Sequence, residues 1–286
     1  MPWTLTGDAA EYLAQAGSYL RVSAEEHTVE LGVIERLRAS GSSAYGETPP
    51  LFGWWHSPDG DIAAAVLHTP PYPVLLSGAT AAAAPLAAEL AARQRALPGV
   101  NGPADPVTSF AAAWQRLTGA PSAVHRRSRL FRLGDLTVPE PLPPGTARIA
   151  ADADAGLLTD WFGAFASETG EQAGAAAVRD MADRLSYGGL MIWDVDGLPV
   201  ATAGRTRPAA GVARVGPVYT PPEQRRRGYG GAVTVAVTQA ALDDGAASVV
   251  LFTNLANPTS NALYLRLGYR PLSDRLQLNF EAASGR

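Results

Sequence analysis

Apolar and polar positions alternate along this chain in blocks that separate strands from helices. From Gly145 onward the blocks are clear. Ala147-Arg148-Ile149-Ala150 predicts a short strand, and two helical stretches follow, about Ala155 to Ala166 and Glu171 to Ser186. Leu190 to Val195 and Pro199 to Arg205 flank the turn dipeptide Asp196-Gly197 and predict a hairpin. Val215 to Thr220 is β-favouring and is stopped by Pro221-Pro222, and a helix follows from Tyr229 to about Asp244. Ser248 to Thr253 is a buried-strand run, Pro258 to Leu267 a short helix, and Tyr269 to Phe280 a last strand pair.

The first half shows a weaker version of the same order. Ser23-Ala24-Glu25-Glu26 has the form of a capping box opening a helix with Val29, Val33 and Leu37 on its inner face. Leu51 to His56 and Ile62 to His68 flank Ser57-Pro58-Asp59-Gly60 as a hairpin, and Val74-Leu75-Leu76 is a third strand. Pro85 to Leu97 and Asp105 to Leu117 read as helices. Between the halves, Leu136 to Gly145 is dense in proline and reads as a linker. The expected division is residues 1–135, a linker at 136–145 and a second domain at 146–286.

Composition narrows the function. The chain has 286 residues and no cysteine, which excludes disulfides, cysteine nucleophiles and cysteine zinc sites. His27, His56, His68 and His125 have no ligand-like spacing, so no metal is expected. Absence of a long apolar run and of a charged, apolar leader predicts no membrane span and a cytoplasmic protein. The net charge of −4 opposes sequence-independent nucleic-acid binding.

The candidate chemistry lies in Val218-Tyr219-Thr220-Pro221-Pro222-Glu223-Gln224-Arg225-Arg226-Arg227-Gly228-Tyr229-Gly230-Gly231. A strand ends, glycines allow close backbone approach, and a helix starts with unpartnered N–H groups and a positive dipole end. That is a site for a phosphate group. All 23 basic residues are arginine, so a Walker loop with its lysine is excluded. The dinucleotide fingerprint fails because Val233 stands where its third glycine belongs.

Arg225-x-x-Gly228-x-Gly230 resembles the phosphate-cradling motif of the GNAT superfamily of acyl-CoA-dependent N-acyltransferases. Asn257-Pro258-Thr259-Ser260-Asn261-Ala262-Leu263-Tyr264-Leu265-Arg266-Leu267-Gly268-Tyr269 resembles a second motif of the same superfamily, in the right order. The segment Leu251 to Asn261 is similar to the glycine-N-acyltransferase-like branch, which leaves room for a longer acyl group.

The resemblance implies an α/β (α+β) fold of two GNAT-like domains in tandem, each a mixed, mostly antiparallel sheet flanked by helices. The first would be a degenerate copy, with Gly99-Val100-Asn101-Gly102-Pro103 where the cofactor loop would stand and no arginine in it. The second would move an acetyl group from acetyl-CoA to a primary amine by direct attack on the thioester. In it, Val218, Tyr219 and Thr220 would meet the pantetheine arm, and Arg225, Arg226, Arg227, Gly228, Tyr229, Gly230 and Gly231 the pyrophosphate. Asn257 would contact the cofactor or simply cap its helix, and Tyr264 would protonate the leaving sulfur. Trp161, Phe162 and Phe165 fit either core packing or an acceptor groove, and Glu168 or Glu171 could meet the amine there. The acceptor is a small molecule or a peptide amine; a homodimer is compatible with the sequence. The alternatives are a non-catalytic CoA-binding sensor or scaffold module and a nucleic-acid-binding role for the arginine triplet.

Overall fold

The computed structural model describes residues 2–170 and 175–281. Its elements are β1 (Trp3–Thr6), α1 (Ala9–Val22), α2 (Thr28–Ser40), β2 (Leu51–His56), β3 (Ile62–His68), β4 (Val74–Gly78), α3 (Ala83–Ala92), β5 (Gly99–Pro103), α4 (Ala104–Thr118) and β6 (Ser122–Leu133). They continue with β7 (Thr146–Ile149), α5 (Ala155–Thr169), α6 (Ala175–Ser186), β8 (Leu190–Val195), β9 (Leu198–Arg205), β10 (Val212–Tyr219), α7 (Tyr229–Asp243), β11 (Ser248–Asn254), α8 (Pro258–Arg266) and β12 (Tyr269–Phe280). The chain forms two compact units. One holds Met1–Leu130, Asn254–Ala256 and Ser273–Arg286, the other Phe131–Thr253 and Asn257–Leu272. The fold is mixed, with mostly antiparallel strands flanked by helices.

In the first unit β1 to β4 pair antiparallel in sequence order, β4 runs parallel to β5, and Arg275–Asn279 of β12 pairs antiparallel with β5. The last strand therefore completes this sheet. Leu276 and Leu278 join Val66, Leu76, Phe110 and Trp114 in its core. Burial of each leucine contributes about 1.5–3 kcal/mol. The sequence reading expected a strand pair here; β12 is instead one continuous strand.

Two further expectations are corrected and one helix is added. Asp8 caps α1, which the sequence reading passed over, by accepting from the N–H groups of Ala10 and Glu11. Ser23–Glu26 does not form a capping box, because the Glu26 carboxylate accepts from Ser273 Oγ (2.6 Å) and Arg275 Nη2 (3.0 Å) and cannot turn back on its own helix. The helix accordingly starts at Thr28 and buries Leu31, Ile34 and Leu37. Finally, Gly99–Pro103 is a strand rather than the expected counterpart of the Arg225–Gly231 loop, and the connection that corresponds by element order to β10–α7 is the β4–α3 one at Gly78–Ala82.

In the second unit β7, β8, β9 and β10 pair antiparallel in order and β10 runs parallel to β11. Helix α7 lays Val233, Val237 and Ala241 on Ala203, Val215, Val249 and Leu251. Thr238 and Tyr269 satisfy each other's buried hydroxyls at 2.7 Å. Residues 136–145 form neither helix nor strand, but they are held within this unit. Thr137 N donates to Leu267 O at 3.0 Å and Trp193 Nε1 to Pro144 O at 2.8 Å.

The entry to α5 is fixed electrostatically. Arg148 donates to both carboxylate oxygens of Asp154, at 2.7 and 2.9 Å, and Ala151 N donates to the same group. Chiefly through the Arg148 hydrogen bonds, the Asp154 carboxyl is held below the usual carboxylate range. Its contribution to stability is then complete above the unfolded carboxylate pKa and is lost as pH falls through the lower folded value. Asp154→Asn should cost about 1–2 kcal/mol at neutral pH in urea unfolding. The difference from wild type should shrink as pH falls below the ordinary carboxylate range and through the lower folded value.

Candidate active site

The helix start at α7 leaves backbone donors free. Gly228, with φ +87, turns the chain into the helix, and its carbonyl accepts the Ala232 N–H at 3.1 Å. From Arg226 to Gly231 no N–H group finds an acceptor among the described residues. Donors of this kind in a row, at the positive end of a helix dipole, form a cradle for an anion. Arg226 and Arg227 are exposed beside them, whereas Tyr229 and Gly231 are buried. A Cβ on Gly231 would come within 3.2 Å of Leu263 Cδ1, and one on Gly228 within 3.5 Å of Pro143. Thus α8 and the proline-rich segment wall the cradle on two sides.

Next to it the sheet opens. The β10–β11 ladder ends at Val215–Leu251, although both strands continue. On its other side β10 advances three residues, Val215 to Val218, while β9 advances two, Arg205 to Ala203. That extra residue is a β-bulge, which bends the strand and re-aims the groups after it. Val218 and Tyr219 therefore keep their pairing with β9, and their edge towards β11 is left without a strand partner.

Five of the expected site residues meet at the end of β10. Arg225 does not point into the cradle. Its Nε donates to Thr220 O at 2.8 Å and its Nη2 to both oxygens of Glu168, at 2.7 and 2.8 Å. Its guanidinium carbon lies 5.8 Å from the Tyr219 ring centre, and the Trp161 ring lies 6.2 Å from the same ring. Burial, then the Glu168 charge, raises the Tyr219 phenol above its ordinary pKa, with Arg225 opposing. Phe162 packs into the small core with Leu158, Met181 and Ile192, and Phe165 is half-buried on the same helix. Glu171 lies outside the described residues.

On α8 the Asn257 side chain caps the helix, accepting from Ser260 N at 3.0 Å. Tyr264 is buried between the rings of Phe131 and Tyr269, at centroid distances of 6.5 and 6.1 Å. Burial pushes its phenol up to about 12, so it keeps its proton at any ordinary pH. Its hydroxyl has no protein partner among the described residues. Arg266 is exposed.

Nothing local marks Pro143 or Pro139, whose Cγ lies 4.0 Å from a Cβ built on Gly231, as cradle walls, nor Arg184, because their contacts depend on tertiary packing. In the first unit the β4–β5 ladder likewise ends, at Leu75–Asn101, but the strands are still close at the next position, where a Cβ on Gly102 would fall 2.0 Å from Leu76 O. The connection there is Gly78-Ala79-Thr80-Ala81-Ala82, and Ala79 N and Ala82 N already have acceptors. No group of His, Asp and Glu suited to a metal exists among the described residues, and no described helix is long and apolar enough to cross a membrane.

Comparison with known proteins agrees with this geometry. The model of the family described as FR47-like protein matches residues 198–277, which span β9 to most of β12. No match is found among curated proteins. Among solved structures, the chain is similar to a GCN5-related N-acetyltransferase from Kribbella flavida, with 23% identity over 77% of this chain and 87% of that one and a TM-score of 0.55. A GCN5-related N-acetyltransferase from Sphaerobacter thermophilus gives 17% identity, 98% and 95% coverage and a TM-score of 0.61. A tandem GNAT protein from the clavulanic acid biosynthesis pathway gives 15% identity, 99% coverage of both chains and a TM-score of 0.58. At these identities the likeness is one of fold. The chain has the GNAT acetyltransferase fold in a tandem arrangement.

Gly228→Ala tests the cradle. A side chain in this left-handed conformation should cost about 1–2 kcal/mol in denaturant unfolding. The shifted N–H groups should bind inorganic pyrophosphate about tenfold more weakly by calorimetry, in line with the loss of one charge-assisted hydrogen bond.

Proposed function

We propose that the protein is an N-acetyltransferase whose second unit transfers an acetyl group from acetyl-CoA to a primary amine by direct attack of the amine on the thioester. One observation carries this reading: the row of unpartnered N–H groups from Arg226 to Gly231 stands beside the opening between β10 and β11. An anion cradle next to a free strand edge suits a ligand with a diphosphate and an amide-bearing arm, which is the form of CoA. CoA would supply the activated acyl group and a thiolate leaving group.

The residues of the chain would divide the work. Arg226 to Gly231 bind the diphosphate, with Arg226 and Arg227 adding charge. Backbone groups of Val218, Tyr219 and Thr220 hold the arm and aim a donor at the acyl oxygen, where negative charge grows during attack. Tyr264 holds a proton for the departing sulfur. Its raised pKa keeps it protonated, so it steadies the forming thiolate as a hydrogen-bond donor, and the proton that the attacking nitrogen gives up makes good the one passed to sulfur. Trp161, Tyr219 and Glu168 face the acceptor, with the Glu168 charge offset by Arg225.

The fit differs between the units. In the first, the close Gly102–Leu76 approach, the acceptors already on Ala79 N and Ala82 N and the lack of arginine in Gly78–Ala82 argue against an equivalent site, so one CoA per chain is the expected stoichiometry. The likeness of Leu251 to Asn261 to the glycine-N-acyltransferase-like branch bears on the acyl group, which a comparison of acetyl-CoA with longer acyl-CoA donors resolves.

A panel of amines, assayed by release of free thiol from acetyl-CoA, tests the proposal. Tyr264→Phe should lower kcat by about 10²–10³-fold, the range of general acid catalysis, while CoA affinity by calorimetry stays within about twofold. With wild type, the rate should climb with pH as the acceptor amine deprotonates and show no fall from Tyr264 below about pH 11. Absence of CoA binding would refute the reading outright, and CoA binding with no turnover on any amine would favour the sensor or scaffold alternative.

A further inference from the structure

We propose that Arg184 of α6 is a positioning residue for acyl transfer, its guanidinium pinning the bulged stretch of β10 that aims the backbone of Val218 and Tyr219. The proposal rests on the function just given, because it concerns the strand edge assigned to the thioester.

The Arg184 side chain is only 8% exposed, which for an arginine requires partners for its donors. Nε donates to Asp180 Oδ2 at 2.8 Å, one helical turn earlier, and Nη1 donates to the carbonyl oxygen of Gly216. That carbonyl belongs to the bulge. Gly216 has φ +139, which favours glycine, and Pro217 has no N–H to give the β9 ladder. Between Val215 and Val218 the strand is thus held by no pairing with β9, and Arg184 supplies the missing anchor.

A second feature shows that the arrangement is built in. Gly204 of β9 lies against the guanidinium: a Cβ there would stand 2.9 Å from Arg184 Nη1 and 3.2 Å from Gly216 O. The absence of a side chain at 204 is the passage through which Arg184 reaches the bulge. With Pro217 fixing one torsion and the ladder resuming at Val218–Ala203, the Gly216–Arg184 bond settles how the next peptide groups are turned. Misplacement of such groups by about 1 Å can lower a rate about 10²-fold.

The test uses Arg184→Met, which keeps the length and apolar packing of the side chain, and Arg184→Lys, which restores one donor. In the full chain, Arg184→Met should lower kcat about 10–100-fold with CoA affinity by calorimetry within about twofold, because the diphosphate cradle is untouched. Arg184→Lys should recover most of that loss, to within about fivefold of wild type. Amide hydrogen exchange gives a readout independent of turnover. In Arg184→Met, exchange at Val218 and Tyr219 should quicken by about tenfold or more, while residues 226–231 stay unchanged. Unchanged exchange at Val218 and Tyr219 overturns the proposal. So does a fall in kcat matched by an equal fall in CoA affinity, or a loss that lysine does not repair. If wild type binds no CoA, the functional reading has failed, and the exchange comparison still decides whether Arg184 holds the bulge.

Discussion

Backbone donors that stay unpaired in a folded protein are the constraint around which the second unit is arranged. A peptide N–H removed from water without an acceptor is unfavourable, and a chain normally closes such groups into a ladder or a helix. Here several local devices prevent closure. Pro217 and the bulge interrupt β10, Pro221-Pro222 ends it, and Gly228 starts α7 from a left-handed conformation. Each would weaken an ordinary sheet. Together they leave the row from Arg226 to Gly231 and the β11-facing edge of β10 ready for a ligand.

The charges at the site follow from this. An anion cradle built from peptide dipoles needs few formal charges, so Arg225 is free for another task. It ties Glu168 at the end of α5 to Thr220 at the end of β10, and its guanidinium lies near the Tyr219 ring. The exposed pair contributes little to stability, about 0–1 kcal/mol. Its consequence is geometric: the end of α5, with Trp161 on the same helix, is fixed with respect to the strand that would carry the thioester.

Much of this was legible in the sequence, because local chemistry decided it. Pro221-Pro222, the glycines, Asn257 before Pro258, and Asp196-Gly197 each act within a few residues, and the elements around them were read nearly to their ends. The errors came where a distant partner decides. Ser23 to Glu26 has the letters of a capping box, but Glu26 is taken by Ser273 and Arg275, about 250 positions away. Arg184 looks like half of an ordinary surface pair with Asp180, and nothing local reveals its bond to Gly216. Likewise Gly99–Pro103 has the composition of a loop, and becomes a strand because β12 pairs with it.

That last strand shows how tandem units can depend on the order of the chain. β12 begins with Tyr269 in the core of the second unit and ends with Leu276 and Leu278 in the core of the first. The first unit cannot complete its sheet until residues up to Phe280 are in hand, so its closing contacts join segments separated by most of the sequence. Contacts of that separation carry the largest loop-closure entropy and form late. The tie is strengthened where it is made: Arg275 and Ser273 meet Glu26, and Asp274 takes Arg129 through two hydrogen bonds of 2.6 and 2.9 Å. The first unit is in this way built with residues that follow directly on α8. Loss of those residues would therefore damage the first unit before it reached the second.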